Sequence, residues 1–125
     1  MTATAVVSPS LALTKYWGKA DGGTNVPATS SLAVSLGAFS TTTTVTAPPP
    51  GAKQDHIVID GSKQNPDRFL AVTNAVRTAA NRPDPVSIHS ASNFPTAAGL
   101  ASSSSGLAAM TLALDAYMDA GLPAP

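Results

Sequence analysis

Apolar and polar positions alternate with a period of two through much of the chain, and that period predicts extended structure. Residues 4–7 (Thr-Ala-Val-Val) and 11–14 (Leu-Ala-Leu-Thr) read as two short strands, or as one strand broken at Ser8-Pro9-Ser10, because proline lacks the N–H that a ladder needs. Residues 31–36 (Ser-Leu-Ala-Val-Ser-Leu) and 41–46 (Thr-Thr-Thr-Thr-Val-Thr) follow, and Gly37-Ala38-Phe39-Ser40 between them predicts a hairpin. Pro48-Pro49-Pro50-Gly51 closes this unit with a surface loop. His56 to Asp60 predicts a further strand with Gly61 as its turn, which places Ser62 in a surface turn.

At Asn65-Pro66 the period lengthens. Asparagine suits the cap of a helix, proline its first position, and Asp67 the positive end of its dipole. Phe69, Leu70, Val72, Val76 and Ala79 supply a buried stripe for a helix over 65–80, ended at Asn81-Arg82-Pro83. Val86-Ser-Ile-His-Ser90 alternates again and puts Val86 and Ile88 on one face. A loop of small residues, Asn93 to Gly106, then runs into a strong helix former, so a second helix is expected over 103–119. Runs of strands with two covering helices predict an α+β fold: a mixed or largely antiparallel sheet with the helices packed on one face. No internal repeat is present.

Composition narrows what such a domain can do. The chain has 125 residues, about one domain and one modest core. Seven Lys plus Arg balance seven acidic residues, all of them Asp, so no sequence-wide field exists to hold nucleic acid or an anionic membrane. Any anion must therefore be held locally. The absence of Cys excludes disulfides, thiolate nucleophiles and Cys-ligated metal, and fits a reducing cytoplasm. His56 and His89 are the only imidazoles, better read as structural side chains than as zinc ligands. The first residues lack a basic region before their apolar run, and no window approaches the roughly 20 apolar residues of a membrane span.

The candidate chemistry gathers at Gly99-Leu100-Ala101-Ser102-Ser103-Ser104-Ser105-Gly106. A helix start leaves its first N–H groups unpaired and carries partial positive charge, and small residues there let phosphates approach the backbone. Serine hydroxyls add donors and can reach a magnesium ion on the phosphates. One serine suffices to cap a helix, whereas this loop uses four, with Pro95 fixing its approach. No Gly-Lys-Ser/Thr follows at the spacing of a Walker loop, and no Gly-x-Gly-x-x-Gly is present. Further upstream, Lys15-Tyr16-Trp17-Gly18-Lys19 sets two cations and a hydroxyl beside an aromatic wall, which is either an anion pocket or a surface strand with snorkelling lysines.

Pro95-Thr-Ala-Ala-Gly-Leu-Ala-Ser-Ser103 matches the phosphate loop Pro-x-x-x-Gly-Leu-x-Ser-Ser of the GHMP kinase superfamily. The longer string from Asn93, together with Lys15-Tyr-Trp-Gly-Lys19, resembles one branch of it, the diphosphomevalonate decarboxylases. This resemblance covers all 125 residues and implies the N-terminal part of a GHMP-like domain. It implies ATP and Mg²⁺ as cofactors. It also implies ATP-dependent decarboxylation of 5-diphosphomevalonate to isopentenyl diphosphate, a small-molecule reaction with no nucleic acid or membrane partner, in the cytoplasm, and it leaves room for a homodimer of the full-length protein.

Residue by residue, the resemblance implies Lys15 near the reacting carboxylate and tertiary hydroxyl. Ser10, Tyr16, Trp17, Gly18, Lys19 and Arg68 fall on substrate-binding positions. Pro95, Ala98, Gly99, Leu100, Ala101, Ser102, Ser103 and Ser104 fall on ATP-binding positions, with Ser103 also reaching the ATP-bound magnesium. Read without the resemblance, Arg68 is equally a solvated helix residue. Two departures keep the substrate open: Ser10 stands where family members commonly have Asn, and Pro27-Ala-Thr-Ser-Ser-Leu-Ala33 replaces Pro-x-Asn-x-Ser-Leu-Ser. Relatives acting on 5-phosphomevalonate, or phosphorylating the 3-hydroxyl of mevalonate, share the framework. The family's catalytic Asp and its second phosphate loop are expected beyond residue 125, so these residues are expected to be an N-terminal portion, inactive alone, that at most binds nucleotide.

Overall fold

The computed structural model describes residues 1–14, 22–23, 26, 28–95 and 102–123. Seven strands form among the described residues: β1 (Thr2–Val7), β2 (Ser10–Thr14), β3 (Leu32–Ser35), β4 (Thr41–Thr46), β5 (His56–Ile59), β6 (Ser62–Gln64) and β7 (Ser87–Ser92). Two α-helices accompany them, α1 (Leu70–Ala80), preceded by a 3-10 turn over Pro66–Phe69, and α2 (Ser102–Met118). The larger sheet runs β1-β4-β7-β5-β6, antiparallel throughout except for the parallel pair β5 and β7, and β2 and β3 form a separate antiparallel ribbon. The expected mixed α+β architecture is what the chain forms.

One face of the large sheet carries the core. Val45, Ile57 and Ile88 point from it toward Val76 of α1 and toward Met110, Ala113, Leu114, Tyr117 and Met118 of α2, all buried. Helix α2 lies across β1 and β4, with α1 packed beside it, so both helices cover the same face. Its buried positions, Ser105, Ala109, Met110, Ala113, Leu114, Tyr117 and Met118, recur at helical spacing. The opposite side leaves Leu107 and Leu112 exposed, so α2 is a half-buried helix.

Polarity on the inner face changes along the strands. In register, β4 and β7 pair Val45 with Ile88, then Thr43 with Ser90, then Thr41 with Ser92. The apolar pair sits under the second half of α2 and the hydroxyl pairs lie toward its start. Thr43 Oγ1 and Ser90 Oγ are 2.9 Å apart, and so are Thr41 Oγ1 and Ser92 Oγ, which satisfies hydroxyls that burial would otherwise leave without water.

Several expectations need correction. Residues 31–36 and 41–46 do not pair with each other: β3 joins β2, with Leu11 opposite Val34, while β4 is held on both edges by β1 and β7. Strand β4, whose alternate residues are buried, sits inside the sheet, and the segment between turns instead through Phe39 N–H to Leu36 O at 2.9 Å. Ser62 does not lie in a turn. Asp60 (φ 47°) and Gly61 (φ 78°) make a two-residue loop of the left-handed kind, and Ser62 opens β6, an exposed edge strand.

The helix expected over 65–80 begins as a 3-10 turn. Asn65 caps it by accepting the Asp67 N–H at 3.0 Å, and the left-handed Asn81 ends α1. In the buried stripe Thr73 replaces Leu70, its hydroxyl donating to the Phe69 and Leu70 carbonyls, and Ala80 replaces Ala79.

Candidate functional site

At the hydroxyl-rich end of the sheet an open cleft of about 350 Å³ forms between the start of α2 and the 3-10 turn before α1. Its polar lining is Thr41, Ser90, Ser92, Ser102, Ser103 and Arg68. The apolar side is Ile59, Phe69, Leu107 and Met110, with Gly106 between the two. Ser102, Ser103 and Gly106 all belong to the first turn and a half of α2, and with Leu107 and Met110 they form the side of the helix that faces the cleft.

Arg68 reaches the cleft from the opposite wall. It is exposed, and its guanidinium donates from Nη1 to Gln64 Oε1 at 3.4 Å, a long bond that leaves the fork open to a bidentate acceptor. A cation on one wall and a helix start with serine hydroxyls on the other suit a multiply charged anion. The apolar side suits an uncharged body attached to that anion.

The structure thus brings Arg68, Ser102 and Ser103 together. Ser104 is exposed in the same turn, and Pro95 is the last described residue before the loop. Ser10 starts β2 opposite Ser35, just beyond the end of β1, and is exposed. Lys15, Tyr16, Trp17, Gly18 and Lys19 lie outside the described residues, as do Ala98, Gly99, Leu100 and Ala101.

Three features of the site were not anticipated. Thr41, Ser90 and Ser92 line the cleft, although as strand residues they read only as β-formers. Asn93, the first residue of the loop string, clamps the end of β7: its Oδ1 accepts the Ser40 N–H at 2.8 Å, and its own N–H donates to Ser40 O at 3.0 Å. Phe94 next to it is buried against Phe39, ring centres 5.6 Å apart. The loop therefore departs from a fixed point. The signal available was an amide and an aromatic directly before the proline.

Among the described residues no group of three His, Cys or Asp could hold a metal. No carboxylate lines the cleft among the described residues either; Asp60, next to Ile59 of its wall, accepts the Ser92 N–H at 2.9 Å. The hydroxyl lining suits a metal carried on the phosphates of a ligand. Hydroxyl oxygens such as those of Ser102 and Ser103 fit that role. No helix among the described residues is long and apolar enough to cross a membrane.

An α+β layer that sets the first turns of one helix and one arginine on the walls of a largely apolar cleft is the arrangement found here. The model of the diphosphomevalonate decarboxylase-like N-terminal domain matches residues 7–124, and the chain belongs to that family. It is 37% identical over 131 residues to diphosphomevalonate decarboxylase mvd1 of Aspergillus fumigatus, an alignment covering 90% of this chain and 32% of the relative. It is 34% identical over 128 residues to a phosphomevalonate decarboxylase of Haloferax volcanii, covering 100% of this chain and 39% of the relative.

Among solved structures, the mevalonate diphosphate decarboxylase of Enterococcus faecalis, studied for mevalonate diphosphate mediated ATP binding, superposes with a TM-score of 0.81 at 37% identity, over 98% of this chain and 39% of that one. A structure of MDDEF in complex with MVAPP, AMPPCP and magnesium gives a TM-score of 0.80 at 37% identity, over 98% of this chain and 38% of that one. The chain spans about a third of the length of the curated relatives it matches, 32% and 39% of the two named here.

Proposed function

We propose that the protein carrying this chain catalyses the ATP-dependent decarboxylation of 5-diphosphomevalonate to isopentenyl diphosphate, in the cytoplasm, and that these residues supply its nucleotide cradle and part of its substrate pocket. The observation that carries this reading is the start of α2, with Ser102 and Ser103, facing Arg68 across one open cleft. Family membership supports it, as do the relatives' decarboxylase names and the neighbour solved with AMPPCP and magnesium.

In this reading the α2 amides and the Ser102 and Ser103 hydroxyls hold the ATP phosphates, and Mg²⁺ bound with ATP screens their charge. Lys15, Tyr16, Trp17, Gly18, Lys19, Ser10 and Arg68 hold the diphosphomevalonate, with Lys15 nearest its carboxylate. The tertiary 3-hydroxyl oxygen attacks the γ-phosphorus and ADP departs. The C1–C2 bond then breaks, C1 leaving as CO₂, and its electron pair forms the C2–C3 double bond as phosphate leaves C3. Positioning and charge neutralisation do most of this chemistry. The hydroxyl proton needs a base, and since no carboxylate lines the cleft among the described residues, we infer that this chain alone binds nucleotide without turning it over.

A second reading, that the substrate is 5-phosphomevalonate, is favoured by Ser10 in place of the family's common Asn and by the Haloferax relative matched along the whole chain. Turnover of mevalonate, 5-phosphomevalonate and 5-diphosphomevalonate by the whole protein separates the two. The cradle is tested by comparing Ser103→Ala with Ser62→Ala, which alters an exposed edge strand outside the cleft. Ser103→Ala should raise the KM for ATP tenfold or more, roughly the worth of a charge-assisted hydrogen bond, and Ser62→Ala should leave it unchanged. Equal, small effects would remove the cradle.

A further inference from the structure

At the floor of the cleft, where Thr41 and Ser92 line it, a row of hydroxyls connects the sheet to the first turn of α2. Thr41 Oγ1 lies 2.9 Å from Ser92 Oγ and 3.0 Å from Ser105 Oγ, and Ser105 Oγ lies 3.1 Å from Ser102 O. Thr41 and Ser105 are each only 2% exposed. The direction of the line follows from proton inventory. A carbonyl oxygen can only accept, so the single Ser105 proton goes to Ser102 O. Thr41 must then donate to Ser105, and Ser92 to Thr41.

The result is an ordered relay, Ser92 to Thr41 to Ser105 to the Ser102 carbonyl, in which each bond polarises the next. Its sheet end is fixed in turn, because the Ser92 N–H donates to Asp60 Oδ1 at 2.9 Å and the Asp60 N–H donates to Ser90 O at 2.9 Å. The far end of α2 is held differently, by Leu114, Tyr117 and Met118 packed on the apolar core. The helix is thus seated by packing at one end and by a hydroxyl relay at the end that lines the cleft.

We propose that Thr41 and Ser105 are positioning residues for nucleotide: without touching the phosphates, they set the height and rotation of the first α2 turn, and so the aim of its amides and of Ser103. This rests on the nucleotide cradle described above. A role confined to stability would lower melting temperature and leave the two substrates equally served, whereas a positioning role acts on nucleotide alone.

The test uses the whole protein, with binding of a non-hydrolysable ATP analogue measured by calorimetry, KM for each substrate, and melting temperature. Thr41→Val keeps the shape of the side chain but removes both the donor to Ser105 and the acceptor for Ser92. It should weaken analogue binding roughly tenfold, the worth of one lost hydrogen bond with a hydroxyl left unpaired, and raise the KM for ATP without raising that for the mevalonate substrate. Thr41→Ser, which keeps the relay, should restore binding to near the parent value.

A folded Thr41→Val protein with unchanged analogue affinity would overturn the proposal, and so would an equal loss for both substrates or a failure of Thr41→Ser to restore binding. If Thr41→Val does not fold, Ser105→Ala, which only deletes an oxygen, decides on the same readouts. Ser103→Ala run alongside keeps the two readings distinguishable: no effect of Ser103→Ala sinks the cradle itself, while a strong effect there with none from Thr41→Val sinks the relay alone.

Discussion

Asp55 offers the sharpest test of how the candidate site is held in place. It precedes β5, is 6% exposed, and one carboxylate oxygen accepts both the Val86 N–H, at 3.0 Å, and Nη2 of Arg77. Arg77 lies in the last turn of α1 and also donates from Nε to Asp84 O at 3.2 Å. One carboxylate therefore ties the start of β5, the approach to β7 and the helix whose leading 3-10 turn carries Arg68. Asp55→Ala leaves a guanidinium that is 12% exposed and a buried N–H without their partner.

Removing one member of a buried pair typically costs about 3–5 kcal/mol. Arg77 keeps its bond to Asp84 O and some access to water, which puts the expected loss near the lower bound, about 3 kcal/mol. With a urea dependence of about 1.5 kcal/mol per molar for a domain of this size, the unfolding midpoint followed by circular dichroism should fall by about 2 M. Asp55→Asn, which still accepts from Val86, should lose about half as much. Adding Arg77→Leu to Asp55→Ala should cost less than the sum of the single changes, because the unpaired charge is gone. A midpoint shift below about 0.5 M for Asp55→Ala, or strict additivity in the double variant, would refute the idea that this pair anchors the helix.

Two further outcomes are expected. Arg68→Ala removes an exposed side chain with one long bond, so melting should barely change while the KM of the phosphorylated substrate rises tenfold or more, with Arg68→Lys recovering only part; an unchanged KM would return Arg68 to the solvated surface. Gly61→Ala meets no atom within 4 Å, but at φ +78° the backbone alone should cost about 1 kcal/mol, seen as a melting temperature lower by about 4 °C; no change would mean that the β5–β6 turn relaxes.

Local chemistry in the sequence located most elements. The Asn65-Pro66 cap, the Asn81 stop and the broken strand at Pro9 are decided by neighbours along the chain, and each was legible. Pairing is decided elsewhere. Nothing in residues 31–36 shows that they prefer β2 to β4, and the short connection favoured the wrong partner. The Asp60-Gly61 pair was read as a turn, but as a two-residue hairpin signal it also implies β6, and Ser-Lys-Gln is too polar to announce an edge strand by itself. Of the candidate site, the serine-rich helix start was legible by residue type, and Arg68 only through the family resemblance. Their meeting across one cleft depends on α1 and α2 sharing a sheet face, and the part played by Thr41 and Ser92 depends on register.

That register raises a problem of specification which the hydroxyls solve. Strand β4 contains four consecutive threonines and a single valine, so its apolar pattern alone hardly distinguishes one alignment from another. A slip of one residue against β7 would turn Thr41, Thr43 and Val45 to the outer face, which the core cluster forbids through Val45. A slip of two keeps the faces but sets either Val45 against Ser90 or Thr43 against Ile88 and leaves buried hydroxyls without partners, at about 1–3 kcal/mol for each. In the observed alignment Thr43 meets Ser90, Thr41 meets Ser92, and no buried side-chain polar atom among the described residues lacks a partner. Because Ser105 draws on Thr41, the alignment that satisfies the sheet is also the one that seats the start of α2. Strand register and cleft geometry are thus set by the same hydroxyls, and a substitution that loosens one should be felt in the other.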